Sequence, residues 1–144
     1  VTDEVRSVLG AEGASAVATL PSVRDALLSR QRELAVAPGL VADGRDMGTV
    51  VFPTAPLKIF LEASALARAQ RRQSQLQLQD EDVSLPRLLE AIEARDTRDR
   101  TRSVSPLVPA QDAVVVDSTD MTADAVFDRV MSLVAKKGIV HCDD

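Results

Sequence analysis

An α/β fold built on a parallel sheet is what this sequence predicts, and three observations predict it. Three short apolar runs read as strands: Leu40 to Asp43, Leu57 to Glu62 and Ala113 to Asp117. Helically spaced segments separate or follow them, as crossover connections between parallel strands require. The last run, Ala113-Val114-Val115-Val116-Asp117, is apolar up to its final residue, the pattern of a strand covered on both faces. With 144 residues, the chain is long enough for one domain with a real core.

Each element has its own local reason. Pro21 suits a first helical turn, and Val23, Ala26, Leu27, Arg30 and Leu34 follow at helical spacing. Pro38-Gly39 breaks that pattern before the first strand. The second strand leads into a helix over Ala63 to about Gln75, rich in alanine, arginine and glutamine. The polar stretch Gln77 to Asp82 reads as a loop. Ser84 is placed to cap a third helix with Pro86 in its first turn. Ser105-Pro106-Leu107-Val108-Pro109 is an extended connector into the last strand. Thr122 starts the final helix, Asp124 lies in its first turn, and Val126, Val130, Leu133 and Val134 form its apolar stripe. Lys136 and Lys137 stand at its C-terminal end, and Gly138 stops it.

Composition narrows the function. At 45% hydrophobic and 27% charged the chain has the balance of a globular protein, and with 2% aromatic residues its core must be aliphatic. The net charge is −5, yet Arg95, Arg98, Arg100 and Arg102 crowd into one short stretch. A local arginine cluster on an acidic protein suits a small anionic ligand better than a long polyanion. Without aromatic platforms the cluster makes a poor nucleic-acid surface. No apolar run approaches a transmembrane length, and no secretory signal is read. Cys142 is the single cysteine and adjoins the single histidine, His141, so neither an intrachain disulfide nor a metal site is expected there. A solvated tail in a reducing cytoplasm fits that pair. The first residue is Val1, which suggests a processed chain or a piece of a longer one.

Three constellations carry chemistry. Gly44-Arg45-Asp46-Met47-Gly48 follows the first strand, at the carboxyl end of a sheet, where open α/β proteins keep their ligands. Arg45 offers a bidentate fork for phosphate, and Asp46 an acceptor for an amine. The flanking glycines permit close backbone approach to a ligand, although an Arg-Asp pair after a strand can also simply satisfy a turn. On the third helix, Leu85, Leu88, Leu89 and Ile92 define a buried stripe. Stepping seven residues, nearly two turns, from Leu88 reaches Arg95 and then Arg102, and from Ile92 reaches Asp99. Either the helix end leaves the core or these charges line a cleft. Asp96 and Asp99 interleave with the arginines, so a salt-bridge network is a further alternative. Arg68 and Arg72, four apart, share a face of the second helix beside the polar loop, where a solvated face with Glu62 is the plainer reading.

These clusters occur together in one family. Gly39 to Pro53, Leu57 to Ser64, Arg95 to Arg102, Ser105 to Ala110 and Val116 to Thr119 closely resemble bacterial-type cytidylate (CMP) kinase. The likeness runs from about Arg6 to Lys137, in long, correctly ordered motifs. It implies a P-loop nucleoside monophosphate kinase-like three-layer fold with a parallel sheet. Residues 1–38 would end the monophosphate-binding region, 39–72 and 83–138 would be core, 73–84 a lid and 139–144 a tail. The resemblance implies phosphoryl transfer from ATP, with Mg2+, to CMP or dCMP. Ser15, Arg24 and Asp46 would read the cytosine edge, Arg95 and Asp99 would hold the sugar, and Arg45 and Arg102 would grip the acceptor phosphate. Arg45, Arg95 and Arg102 are thus the expected catalytic residues. Arg68 and Arg72 would lie along the ATP side. The expected partners are these small molecules alone, with no nucleic acid and no membrane, and the intact enzyme is expected to be a monomer in the cytoplasm.

One family hallmark is not in the sequence. A Gly-x-x-x-x-Gly-Lys-Ser/Thr loop after a strand does not occur, and the nearest stretch, Gly10-Ala11-Glu12-Gly13-Ala14-Ser15, lacks the lysine. The expectation is therefore the C-terminal portion of a kinase, with no protein ligand for the metal. The central strand, which in the family lies between the runs Leu40 to Asp43 and Leu57 to Glu62, is absent from this chain. A non-catalytic CMP-binding fragment without an ATP site is the alternative reading.

Overall fold

The structure, a computed structural model, describes residues 8–17, 20–78, 83–103 and 105–139. Its helices are α1 (Val8–Val17), α2 (Pro21–Glu33), α3 (Ala65–Gln77), α4 (Leu85–Thr101) and α5 (Ala123–Lys136), and its strands are β1 (Ile59–Glu62) and β2 (Val114–Asp117). A short π-helical turn, Met47–Val51, stands between α2 and β1. The strands are parallel, with Ile59 beside Val114 and Glu62 beside Asp117. Hydrogen bonds from Val114 N to Lys58 O (2.9 Å) and from Ser118 N to Glu62 O (2.7 Å) carry the ladder past both ends. Parallel neighbours need a long crossover, and α3 and α4, packed against each other, supply it.

The helix ends follow sequence chemistry. The Ser64 hydroxyl caps α3 by accepting from Ala67 N at 3.1 Å, and the Thr122 hydroxyl caps α5 by accepting from Ala125 N at 3.2 Å. Ser84 holds the cap position of α4 and its carbonyl accepts from Leu88 N at 3.2 Å, but its side chain makes no cap hydrogen bond; Pro86 lies in that helix's first turn. Gly138 adopts φ +63° just beyond α5, the left-handed stop that glycine takes most easily.

Three sequence expectations require correction. Leu40 to Asp43 is not a strand among the described residues. It is irregular and exposed, Val41 being 99% accessible. A buried strand needs a neighbour for its backbone groups, and among the described residues no strand pairs with this run. A cavity of about 100 Å³, lined by Ala42, Asp43 and Gly44 together with Lys58, Ile59 and Phe60, lies between it and β1. Nor is β2 covered on both faces: Val116 is buried, whereas Val115 is half exposed. A two-stranded sheet leaves too little structure to cover both sides. The predicted core is correspondingly thin, with Val51, Ala69, Leu76 and Val116 its buried apolar members among the described residues.

Of the stretch expected as a lid, residues 73–77 are helical and continue α3, while 79–82 lie outside the described residues. His141 and Cys142 also lie outside them. Helix α1 was not predicted, because two glycines and scattered apolar residues give it no stripe.

Ala69 is fully buried on α3, the helix that packs on α4, so no room remains for a larger side chain. Ala69→Leu is expected to lower the unfolding free energy by about 1–3 kcal/mol, measured by urea titration.

Candidate functional site

The charged end of α4 is the centre of the site. The face that carries Leu88 and Ile92 early in the helix carries Arg95 and Asp99 later, with Arg102 as the C-cap. Asp99 is only 6% exposed, so this end of the helix does not simply run out into water. Leu107 N donates to Asp99 O at 2.8 Å, which folds the connector back onto the helix end.

The turn after residue 43 meets this helix through Arg45. Arg45 places Nε 2.5 Å from Asp99 Oδ2, and Arg95 Nε stands 3.9 Å from the same oxygen. One carboxylate shared by two guanidiniums cannot neutralise both, so the cluster stays cationic. Burial, and next the charge of Arg45, pull the Arg95 guanidinium below its ordinary value. Arg95 Nε, Asp99 Oδ2 and Arg102 Nη2 are enclosed yet lack an aligned hydrogen-bond partner among the described residues. Such atoms are costly to leave unsatisfied, and a ligand with both acceptors and donors would satisfy them.

Asp46 turns to α2 instead. Its Oδ2 accepts a hydrogen bond from Arg24 Nη2, and the same nitrogen donates to Ser105 Oγ at 2.7 Å. Ser105 in turn accepts from Arg102 Nε through its backbone carbonyl. A chain of contacts therefore runs from Asp46 through Arg24 and Ser105 to Arg102, three residues beyond the Asp99 that holds Arg45. The predicted residues Arg24, Arg45, Asp46, Arg95, Asp99 and Arg102 are brought together around one helix end. Arg45 lines the cavity beside β1 and Arg102 does not; what relates them is α4 itself, which holds Arg45 through the ion pair with Asp99 and carries Arg102 as its C-cap. Ser15 lies on α1, and its side chain is outside the described residues.

The backbone of this turn is itself specific. Asp46 O accepts from Val50 N (2.9 Å) and Val51 N (3.2 Å), a widened turn of the kind often found at functional sites. Arg32 fastens its far end through Val51 O at 3.0 Å and Val50 O at 2.9 Å. The two glycines make room for protein side chains: a Cβ at Gly44 would lie 2.9 Å from Met47 Cε, and one at Gly48 would lie 3.2 Å from Lys58 Cδ.

Arg68 and Arg72 do not act as a pair. Arg68 grips Asp96 with both terminal nitrogens, one at 2.8 Å, and donates Nε to Ala63 O at 3.1 Å. That fork holds the Asp96 carboxyl below its usual range and raises the Arg68 guanidinium. Arg72, one turn on, stands half-buried outside that pair. Arg71, which the four-residue spacing passes over, bonds the carbonyls of Ser118 and Met121. Ser118, 2% exposed, passes its hydroxyl to Glu62 O at 3.0 Å. Thr119 donates to Asp117 from its amide and its hydroxyl, which keeps that carboxyl below its usual range. The carboxyl ends of β1 and β2 are thus tied to α3. Nothing in the sequence singled out Arg32 or Arg71, and Ser105 was read only as part of a connector and a family-like segment, because their partners are backbone groups or lie far along the chain.

A family model described as cytidylate kinase matches residues 1–136. A cytidylate kinase from Pseudomonas savastanoi pv. phaseolicola is 58% identical over 139 residues, 96% of this chain and 61% of that protein. One from Pseudomonas putida is 55% identical over 140 residues, 97% of this chain and 61% of that protein. One from Pseudomonas aeruginosa strain LESB58 is 56% identical over 138 residues, 96% and 60% respectively. The chain belongs to the cytidylate kinase family. It spans about three fifths of the length of the curated relatives it matches.

The Arg68–Asp96 fork gives an acid-sensitive contribution to stability. The Asp96 carboxyl is depressed in the folded state, so its stabilisation is present above the ordinary value of 3.8 and lost as pH falls through the folded value. Unfolding of the native protein and of Asp96→Asn, compared from pH 7 down to pH 3, should differ most at the upper end and converge in acid. Both side chains retain contact with water, so the difference is at most about 1 kcal/mol.

Proposed function

We propose that the whole protein to which this chain belongs transfers the terminal phosphoryl group of ATP to CMP or dCMP, giving CDP or dCDP. Family membership supports the reaction class. The observation that carries the acceptor site is the convergence of Arg45 and Arg102, with Asp99, Asp46 and Arg24, at one end of α4.

In this reading Arg45 and Arg102 hold the acceptor phosphate, whose charge of about −1.5 to −2 offsets the crowded guanidiniums. Arg95 and Asp99 hold the sugar. Ser15, Arg24 and Asp46 read the base. Arg24 engages Asp46 Oδ2, which leaves Oδ1 to accept from the exocyclic amine of cytosine; uracil offers no donor there. Arg68 and Arg72 flank ATP, with the Asp96 fork holding Arg68 in place. A lid over residues 73–84 closes on both nucleotides and excludes water. An acceptor phosphate oxygen attacks the terminal phosphorus of ATP, and the bond to the bridging oxygen breaks. The protein contributes alignment and charge neutralisation rather than covalent chemistry.

Magnesium would enter with ATP. Among the described residues no group of three or more His, Cys, Asp or Glu is placed to hold it. The fold proposed for the whole protein is the three-layer nucleoside monophosphate kinase type, with its phosphate-loop strand in the slot between Ala42–Gly44 and Lys58–Phe60. Its ligands are these nucleotides, and it works as a cytoplasmic monomer. No helix among the described residues is long and apolar enough to cross a membrane.

A coupled assay on the full-length protein tests the reading: CMP should be phosphorylated far better than UMP. Asp46→Ala should reduce the CMP-over-UMP ratio by at least about tenfold. Arg102→Ala should instead raise KM for both acceptors, by about tenfold or more, with little change in that ratio. Equal use of CMP and UMP by the unaltered protein would defeat the assignment of the base-reading residues.

A further inference from the structure

Among the described residues, Ser105 touches both arms of the site. Its hydroxyl oxygen accepts from Arg24 Nη2 at 2.7 Å, the nitrogen that also holds Asp46, and its carbonyl accepts from Arg102 Nε. With Nε so engaged, the guanidinium plane of Arg102 is fixed, and its enclosed Nη2 is left without a partner among the described residues. The Arg24 end is fixed in the same way, because one nitrogen bonded to two oxygens cannot rotate without losing one of them.

The backbone at Ser105 supports a dedicated role. Its φ is +50°, a left-handed conformation unusual for a residue with a side chain. The following residue is Pro106, which biases its predecessor toward extended geometry. Such a conformation persists where the surroundings over-determine it. Here the hydroxyl and the carbonyl are both spoken for, by arginines from different elements.

We propose that Ser105 is a positioning residue for base selection: it holds Arg24, and through Arg24 the Asp46 carboxylate, while its carbonyl independently orients Arg102. The inference rests on the acceptor-site reading above. It assigns to the connector after α4 a share in choosing the base, although Ser105 itself need not touch the nucleotide.

The test is steady-state kinetics of the full-length protein and two variants, with CMP and UMP at saturating ATP. Ser105→Ala removes only the hydroxyl and keeps the carbonyl. It should lower the CMP-over-UMP ratio of kcat/KM roughly tenfold, through KM for CMP, with kcat held within a factor of about two. Ser105→Gly removes the same hydroxyl but relaxes the backbone, and should lose selectivity equally. If the glycine variant discriminates like the unaltered protein, or if neither variant changes the ratio, the inference is overturned and the acceptor-site reading stands. If the unaltered protein does not itself prefer CMP, that reading fails, and this inference falls with it.

Discussion

Like charges packed at the end of one helix stay folded only if something negative stands among them, and that constraint shapes this molecule. Arg95 and Arg102 sit on α4, and the chain brings Arg45 to the same place from a distant turn. Asp99 is the internal counter-charge, held between Arg45 and Arg95. It is almost wholly removed from water, and a carboxylate is buried at tolerable cost only beside cations. Asp46 performs the same service for Arg24, and Asp96 for Arg68. Each carboxylate sits on a different element from an arginine it pairs with, so charge compensation also joins the elements. With so few apolar side chains fully buried, these polar ties are a large part of what defines the arrangement.

The ties at the strand ends solve a second problem. A two-stranded parallel sheet is weakly held, and its carboxyl edge must be rigid to present a ligand site. Ser118 spends both its amide and its hydroxyl on Glu62 O, and Arg71 then locks Ser118 to α3. Ser64 N reaches across to Thr119 Oγ1 at 3.0 Å. The loop after β2 and the start of α3 are therefore one unit, and Arg68 projects from it toward Asp96.

Legibility in the sequence followed the physics of each segment. β1, β2 and α5 could be read because apolar runs, a Thr cap and a Gly stop are local signals. The charged continuation of the α4 stripe was readable because helical periodicity projects forward whatever residue occupies the position. Pairings were not readable. Asp96 and Asp99 are three apart and similarly placed in sequence, yet one faces Arg68 and the other Arg45 and Arg95. Only the packing of α3 against α4 decides that. Leu40 to Asp43 misled because strand propensity describes a side-chain pattern, whereas a strand exists only with a partner for its backbone. Ser105 was silent because its contribution lies in a carbonyl and an unusual φ, neither of which a residue name discloses.

The same carboxylates that hold the arginines apart also define what can bind. A simple anion would neutralise Arg45 and Arg102 but would push against Asp99. A ligand that carries a phosphate and also hydroxyl donors does not face that conflict. Its phosphate takes the place of carboxylate oxygens on the guanidiniums, and its hydroxyls supply the Asp99 Oδ2 that lacks an aligned donor. Binding then exchanges partners without stranding any charge. Inorganic phosphate cannot make that exchange, because it brings no neutral hydroxyl positioned beyond the charged oxygens. A nucleoside monophosphate can, since its sugar stands a few bonds from its phosphate. On the acceptor-site reading proposed above, preference for a nucleotide over a bare anion would arise from Asp99 and preference among nucleotides from Asp46, the acidic residues setting selectivity and the basic ones affinity.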